Sequence, residues 1–400
     1  MLSDSRKRAL ASCCLVTGLV FACAPAPDEA DDAASGGSGP ESGGAAATGG
    51  APGVPSGGSA PAESGGSGGL SASGGASSGG TPATGGSADS GACPTELVGW
   101  ASQDGDDVPS TTGGGEVEPV VPTTLEELEE YASDDQPRVI HIEGAWDLNG
   151  RLNVASNKTI VGIGPDAELR GGVRIRGYAD AFVENVILQN LTVNGATTDV
   201  DGDAMQVYFA HHVWIDHCDI YDGVDGNLDV THGSNWVTIS WTKFRYTSAA
   251  PDPEHKFSSL IGHSDSNASE DDGRLKVTLH HNWWVEGVTE RMPRVRFGQV
   301  HSLNNYFSSV GNNYCIRAGR NAHILSEGNF FDGVNSPHEF NGTEDEPTAH
   351  ITARDNGYEG TPEDDGVSGG GTPFDAPPYD YELDPASEVP ALVQACAGPR

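Results

Sequence analysis

The chain has 400 residues, with 58 acidic against 21 basic side chains and a formal net charge of -37. Such acidity excludes nucleic acid and anionic membrane surfaces as general partners. An anionic ligand would have to be held by local positive charge or a bound cation against an unfavourable global field.

Arg6, Lys7 and Arg8 precede an apolar run from Ala9 to Ala22 that is too short to span a bilayer, so residues 1–23 read as an export signal. The run ends Val20-Phe21-Ala22-Cys23, which is similar to a bacterial lipoprotein signal whose cysteine becomes the lipidated first residue; ordinary secretion is the alternative. Residues 24–92 are dominated by Gly, Ser, Ala, Pro and Thr, with Val54 and Leu70 the only larger aliphatics. A segment of that kind buries too little to offset its ordering entropy and serves as a flexible tether. The folded domain is expected over residues 93–400, exported and either secreted or anchored at the cell surface, as a monomer. Cys93, Cys218, Cys315 and Cys396 allow three pairings. A Cys93–Cys396 staple of the termini is favoured, with buried free thiols as the alternative.

The domain opens with turn-rich sequence from Leu97 to Gly115. Thr124 and Glu127 form a capping-box pattern for a short helix whose inner face carries Leu125, Leu128 and Tyr131 or Ala132. Arg138–Glu143 reads as a strand. An apolar-x-apolar strand ending in an Asn- and aromatic-rich corner then recurs from Val186, Val213, Val237, Val277, Val300, Ala322 and Ala349, in steps of 27, 24, 40, 23, 22 and 27 residues. A base period of 22–27 fits coils stacked in a solenoid, and the 40-residue step marks an insertion near Thr247–Arg274 that carries His255-Lys256. Short β-branched strands without helical periodicity leave an all-β fold, a parallel β-helix; a β-sandwich of similar strand spacing is the alternative.

Asp201, Asp203, Asp225 and Asp229 crowd acidic oxygen into a short length of chain. Residues two or four apart on an extended strand share a face, so each pair converges if neighbouring coils stack. Carboxylates so placed repel unless some are protonated or a cation sits among them, and oxygen-only ligation suits calcium. An EF-hand reading of Asp225-x-Asn227-x-Asp229 fails, because Val230 and Trp236 hold the positions that need glycine and glutamate. Asp-Gly pairs also make simple turns. Between two apolar runs, Val277–Trp284 and Val300–Phe307, stand Arg291, Arg294 and Arg296, three guanidinium groups that want an anion nearby. His211-His212 and His280-His281 read as structural, their neighbours facing opposite ways along a strand. Tryptophans and Asn304-Asn305 read as core and corner-stacking residues.

Trp214-Ile215-Asp216-His217, Val237-Thr238-Ile239-Ser240-Trp241, His255-Lys256 before Leu260-Ile261-Gly262-His263-Ser264-Asp265, His281-Asn282, and Arg291-Met292-Pro293-Arg294-Val295-Arg296-Phe297-Gly298 with Val300-His301 and Asn304-Asn305 follow in order along the chain. Together they resemble the pectate lyases of polysaccharide lyase family 1. The resemblance implies a right-handed, single-stranded parallel β-helix with a calcium-dependent cleft. By motif position it makes Asp203, Asp225 and Asp229 calcium ligands and Asp201 an accessory carboxylate, although many members carry Glu where Asp225 stands. Lys256 and Arg296 match substrate-binding residues and Arg291 the base. Retention of the carboxylates favours pectate over the methylated polymer of pectin lyases.

The activity so implied is calcium-dependent β-elimination of de-esterified homogalacturonan. A free guanidinium is effectively always protonated, so a base role for Arg291 requires neighbours that weaken its hold on the proton, and activity is expected at alkaline pH. A hydrolase on the same scaffold and a non-catalytic polyuronate-binding surface module are the competing classes.

Overall fold

A computed structural model of the protein describes residues 93–197 and 202–400. The export signal, Cys23, the linker and Asp201 lie outside these residues.

The chain winds as a parallel β-solenoid whose coils feed three sheets. In the first, Val186, Val213, Val237, Val277, Val300, Ile324 and Ile351 stand in parallel register, and all are fully buried. Each such side chain contributes about 1.5–3 kcal/mol of burial. Position by position the repeat is as the sequence predicts through Val300, but the last two coils align on Ile324 and Ile351 rather than on Ala322 and Ala349. The reason is the two-residue period of a strand: Ala322 and Ile324 both point inward, so both satisfy the apolar pattern.

Corners are made by left-handed residues. Asn190, His217, Trp241, His281, Asn304, Gly328 and Asp355 have φ between 48° and 61°, which turns the chain out of the first sheet. The expected single runs therefore each split, into Lys276–His280 with Trp283–Trp284 and Gln299–Leu303 with Tyr306–Phe307. Left-handed residues also undo the strand alternation expected of the paired histidines. With His212 and His281 left-handed, strand alternation fails, and the Nδ1 atoms of His211 and His212, and of His280 and His281, lie 3.0 Å apart. The rings are buried, as a structural role requires.

Behind each corner the second sheet packs an aromatic file, Phe244, Trp284, Phe307 and Phe331, with successive centroids 5.4, 4.6 and 4.6 Å apart. Beside it Asn282, Asn305 and Asn329 form a side-chain ladder that carries hydrogen bonds from coil to coil. Helix Leu125–Ser133 caps the early coils through buried Leu128 and Ala132. Its Thr124 hydroxyl accepts from the Glu127 amide, while the Glu127 carboxylate takes the Thr123 amide and hydroxyl. Cys93 and Cys396 are disulfide-bonded, and Cys218 and Cys315 are buried thiols.

The third sheet holds Met205–Tyr208, Leu228–Thr231, Leu260–Ile261, Arg294–Val295, Ile316–Ala318 and His338–Phe340. The 40-residue step passes through it: Leu260–Ile261 pairs with its neighbours on both sides, with excursions before and after the strand.

Candidate active site

Strand alternation is not what gathers the aspartates. Asp203 precedes its strand, and Asp225 lies in the turn before Leu228–Thr231. Stacking of coils does the work: the Ala204 and Met205 amides donate to the carbonyls of Gly226 and Asn227, each at 2.9 Å. Gly226 supplies room for one of them. A Cβ there would stand 2.6 Å from Asp203 Oδ1, displacing that carboxylate, but 3.5 Å from Asp229 Oδ1, an ordinary contact.

Asp203 and Asp229 are 5% and 9% exposed. Asp203 Oδ2 accepts from Gln206 Nε2 at 2.8 Å, whereas its Oδ1 is buried without a hydrogen-bond partner. Burial, then the charge of Asp225, pushes the Asp203 carboxyl up to about 7 against the pull of Gln206 and Arg291. Burial and the Asp203 charge likewise hold Asp229 well above the usual carboxylate range, although Arg291 and the Leu260 amide, 2.8 Å from Oδ1, oppose the shift. Asp225 is more open, and His255 Nε2 stands 3.2 Å from its Oδ1. Among the described residues these side chains do not close into a three-ligand metal cluster. The donor chemistry still fits a hard cation: two buried acids of raised proton affinity, Asp203 beside the charge of Asp225 and Asp229 beside that of Asp203, one with an orphaned oxygen, are what a divalent ion would relieve.

Arg291 is left-handed, with φ 61°, and is followed by a cis Met292–Pro293 bond. Its guanidinium lies over the Phe257 ring at 4.3 Å from the centroid. Arg294 Nη2 donates to Asn341 Oδ1 at 2.8 Å while Nε is buried without a partner. Burial, then Arg296 and the other nearby arginines, brings the Arg294 guanidinium down to about 10. Arg296 is already engaged: Nε donates to Asp265 Oδ1 at 2.6 Å, and Nη1 donates to the Gly262 and His263 carbonyls at 3.0 and 3.2 Å. Lys256 is held by its carbonyl, which accepts from the Thr289 amide at 2.8 Å and the Thr289 hydroxyl at 3.1 Å. Among the described residues its ammonium has no hydrogen-bond or ion-pair partner.

Several residues at this face escape a reading by motif. Gln206 Oε1 accepts from Arg151 Nη1 at 3.0 Å and Arg174 Nε at 3.1 Å, so a file of two arginines and an amide runs into Asp203. The available signal was register: Gln206 lies one coil before Asp229 and pairs with it. His255 stood in a motif but without a role, and Phe257 gave no signal, because their excursion has no counterpart in the other coils. The acidic stretch Glu270-Asp271-Asp272 is also placed: Glu270 Oε2 lies 2.8 Å from His232 Nδ1, and Asp271 Oδ1 accepts the Gly233 amide at 2.7 Å.

The family model described as "Pectate lyase" matches residues 59–369, beyond both ends of the motif-bearing stretch. A probable pectate lyase B of Aspergillus terreus is 38% identical over 226 residues, 55% of this chain and 63% of that protein. Pectate lyase A of Aspergillus niger is 36% identical over 275 residues, covering 66% of this chain and 77% of that one. The chain thus spans just under two thirds of the length of the Aspergillus terreus relative. Among solved structures, a pectate lyase from Bacillus sp. N165 in complex with trigalacturonate superposes with a TM-score of 0.62 at 25% identity, over 76% of this chain and 99% of that one.

Proposed function

The chain belongs to the pectate lyase family, and from that premise we propose that it cleaves de-esterified homogalacturonan by calcium-dependent β-elimination. The observation that carries the reading is the convergence of buried Asp203 and Asp229 on the glycine turn beside Arg291, on the outer face of a solenoid. Asp203, Asp225 and Asp229, with Asp201, would hold the cation. Bound there, calcium would draw charge from a uronate carboxylate and acidify the proton on C5.

The residues of the chain do the rest. Arg291 takes the C5 proton, the electron pair of that bond becomes the C4–C5 double bond, and the C4–O4 bond breaks with O4 taking a proton from solvent. No water is consumed, and an unsaturated oligogalacturonide leaves. Lys256, whose ammonium has no partner among the described residues, and Arg296, which Asp265 holds through Nε, set carboxylates in register. Upstream, a lipid-anchored Cys23 and the 24–92 tether would hold the domain at the cell surface.

A second reading has one observation in its favour. A hydrolase needs two carboxyl groups with one kept protonated, and Asp203 and Asp229 both have raised proton affinity. Ultraviolet absorbance of polygalacturonate digests separates the two, since only elimination creates the conjugated chromophore. The expected outcome is absorbance that grows with calcium, vanishes in excess chelator, and returns less well with magnesium. Saturated ends alone would establish the hydrolase, and full lyase activity in chelator would remove the calcium site.

A further inference from the structure

The excursion that carries Lys256 also places an aromatic ring under the proposed base. Phe257 is fixed from three directions. Its carbonyl accepts from the Tyr246 hydroxyl at 2.8 Å and from the Asn227 amide at 3.2 Å; Asn227 lies inside the acidic turn, between Asp225 and Asp229. The residue forms a parallel bridge with Glu290, and the next two amides, of Ser258 and Ser259, donate to the carbonyls of Glu290 and Arg291 at 3.0 and 2.6 Å. The His255 ring packs against it at 4.3 Å. Ring and guanidinium therefore ride on the same backbone ladder.

Apart from the charges of Asp203 and Asp229, which its own charge reaches, the Arg291 guanidinium has few restraints among the described residues. Its Nε is buried without a hydrogen-bond partner, and among the described residues no carboxylate lies within ion-pair distance of its guanidinium. A carboxylate partner would orient the group but would also pin its proton, because charge-assisted hydrogen bonds favour the ionised form. An aromatic face orients a guanidinium with a weaker electrostatic pull.

We infer that Phe257 is a positioning residue for Arg291: its ring face holds the guanidinium toward the C5 proton in place of an acidic partner. This rests on the lyase reading with Arg291 as base. The test uses the full chain with Phe257→Leu and Phe257→Trp. Nuclear magnetic resonance of the arginine side chains, assigned with Arg291→Lys, should show an upfield ring-current shift at Arg291 in the wild type and in Phe257→Trp, lost in Phe257→Leu. In parallel, Phe257→Leu should lose about tenfold to a hundredfold in kcat with KM within about twofold, the signature of a misplaced group, while Phe257→Trp keeps most of it. No ring-current shift in the wild type overturns the inference. So does Phe257→Leu with kcat within about twofold of wild type, or Phe257→Trp as impaired as the leucine variant. A wild type that shows the shift but forms no unsaturated product removes the lyase reading, and the positioning role with it, while establishing the contact.

Discussion

At the scale of single residues, the site sets a charge problem whose sign is testable. Burial and the charge of Asp225 push the Asp203 carboxyl of the folded protein up to about 7 from an ordinary value of 3.8. Between those values the folded protein binds a proton that the unfolded chain has released, so stability falls as pH rises through that window. Asp203→Asn should therefore raise the melting temperature of the cation-free protein above about pH 7, while calorimetry finds calcium binding lost. In the wild type, protons compete with the cation, and calcium affinity should climb as pH passes through about 7 rather than level off above the ordinary carboxylate range. The arginines divide differently. If Arg291 is the base, Arg291→Lys should lose about 10²- to 10⁴-fold in kcat with KM nearly unchanged. Arg294, brought down to about 10 by burial and its neighbouring arginines, is the alternative, and an Arg291→Lys variant that kept its kcat would move the base there.

At the scale of elements, the coil corner is the unit that makes the solenoid. Asn305 Oδ1 accepts from the Asn282 amide at 2.9 Å, and its Nδ2 donates to the Leu279 carbonyl at 2.9 Å and to Asn329 Oδ1 at 3.0 Å. All three asparagines are fully buried, so losing one member strands polar groups on two coils. Asn305→Ala should cost about 3 kcal/mol or more in denaturant unfolding, since each stranded buried group costs about 1–3 kcal/mol. The preceding left-handed residue, Asn304 at φ 48°, is a type that tolerates this conformation better than most. The inserted coil shows what the repeat cannot: its strand obeys the register, but its flanks carry His255, Phe257 and Asp265 to the site on their own course.

At the scale of the whole molecule, the terminal staple and the proposed tether call for separate tests. The Cys93–Cys396 bond closes a separation of 303 residues, and Cys396→Ala should cost about 2–5 kcal/mol of stability, read as a lower denaturant midpoint. For the tether, a Cys23→Ala precursor should fail to label with fatty acid, while a protein beginning near Cys93 keeps its specific activity. What the sequence determined by itself was whatever repeats or stands as an ordered motif: the inward Val file, the corner asparagines and the helix cap, with the terminal disulfide as its favoured pairing; roles for the aspartates and arginines it offered as expectations. Those signals are local, because each coil meets the same packing demand at nearly the same spacing. Only the tertiary structure decided how the groups meet. Gly226 leaves room for the Asp203 carboxylate, Gln206 enters from the coil before, Arg296 is already held by Asp265, and a phenylalanine lies under Arg291. Each of these contacts joins separate coils or excursions, and a chain read residue by residue carries no record of which side chain a neighbouring coil will lay against it.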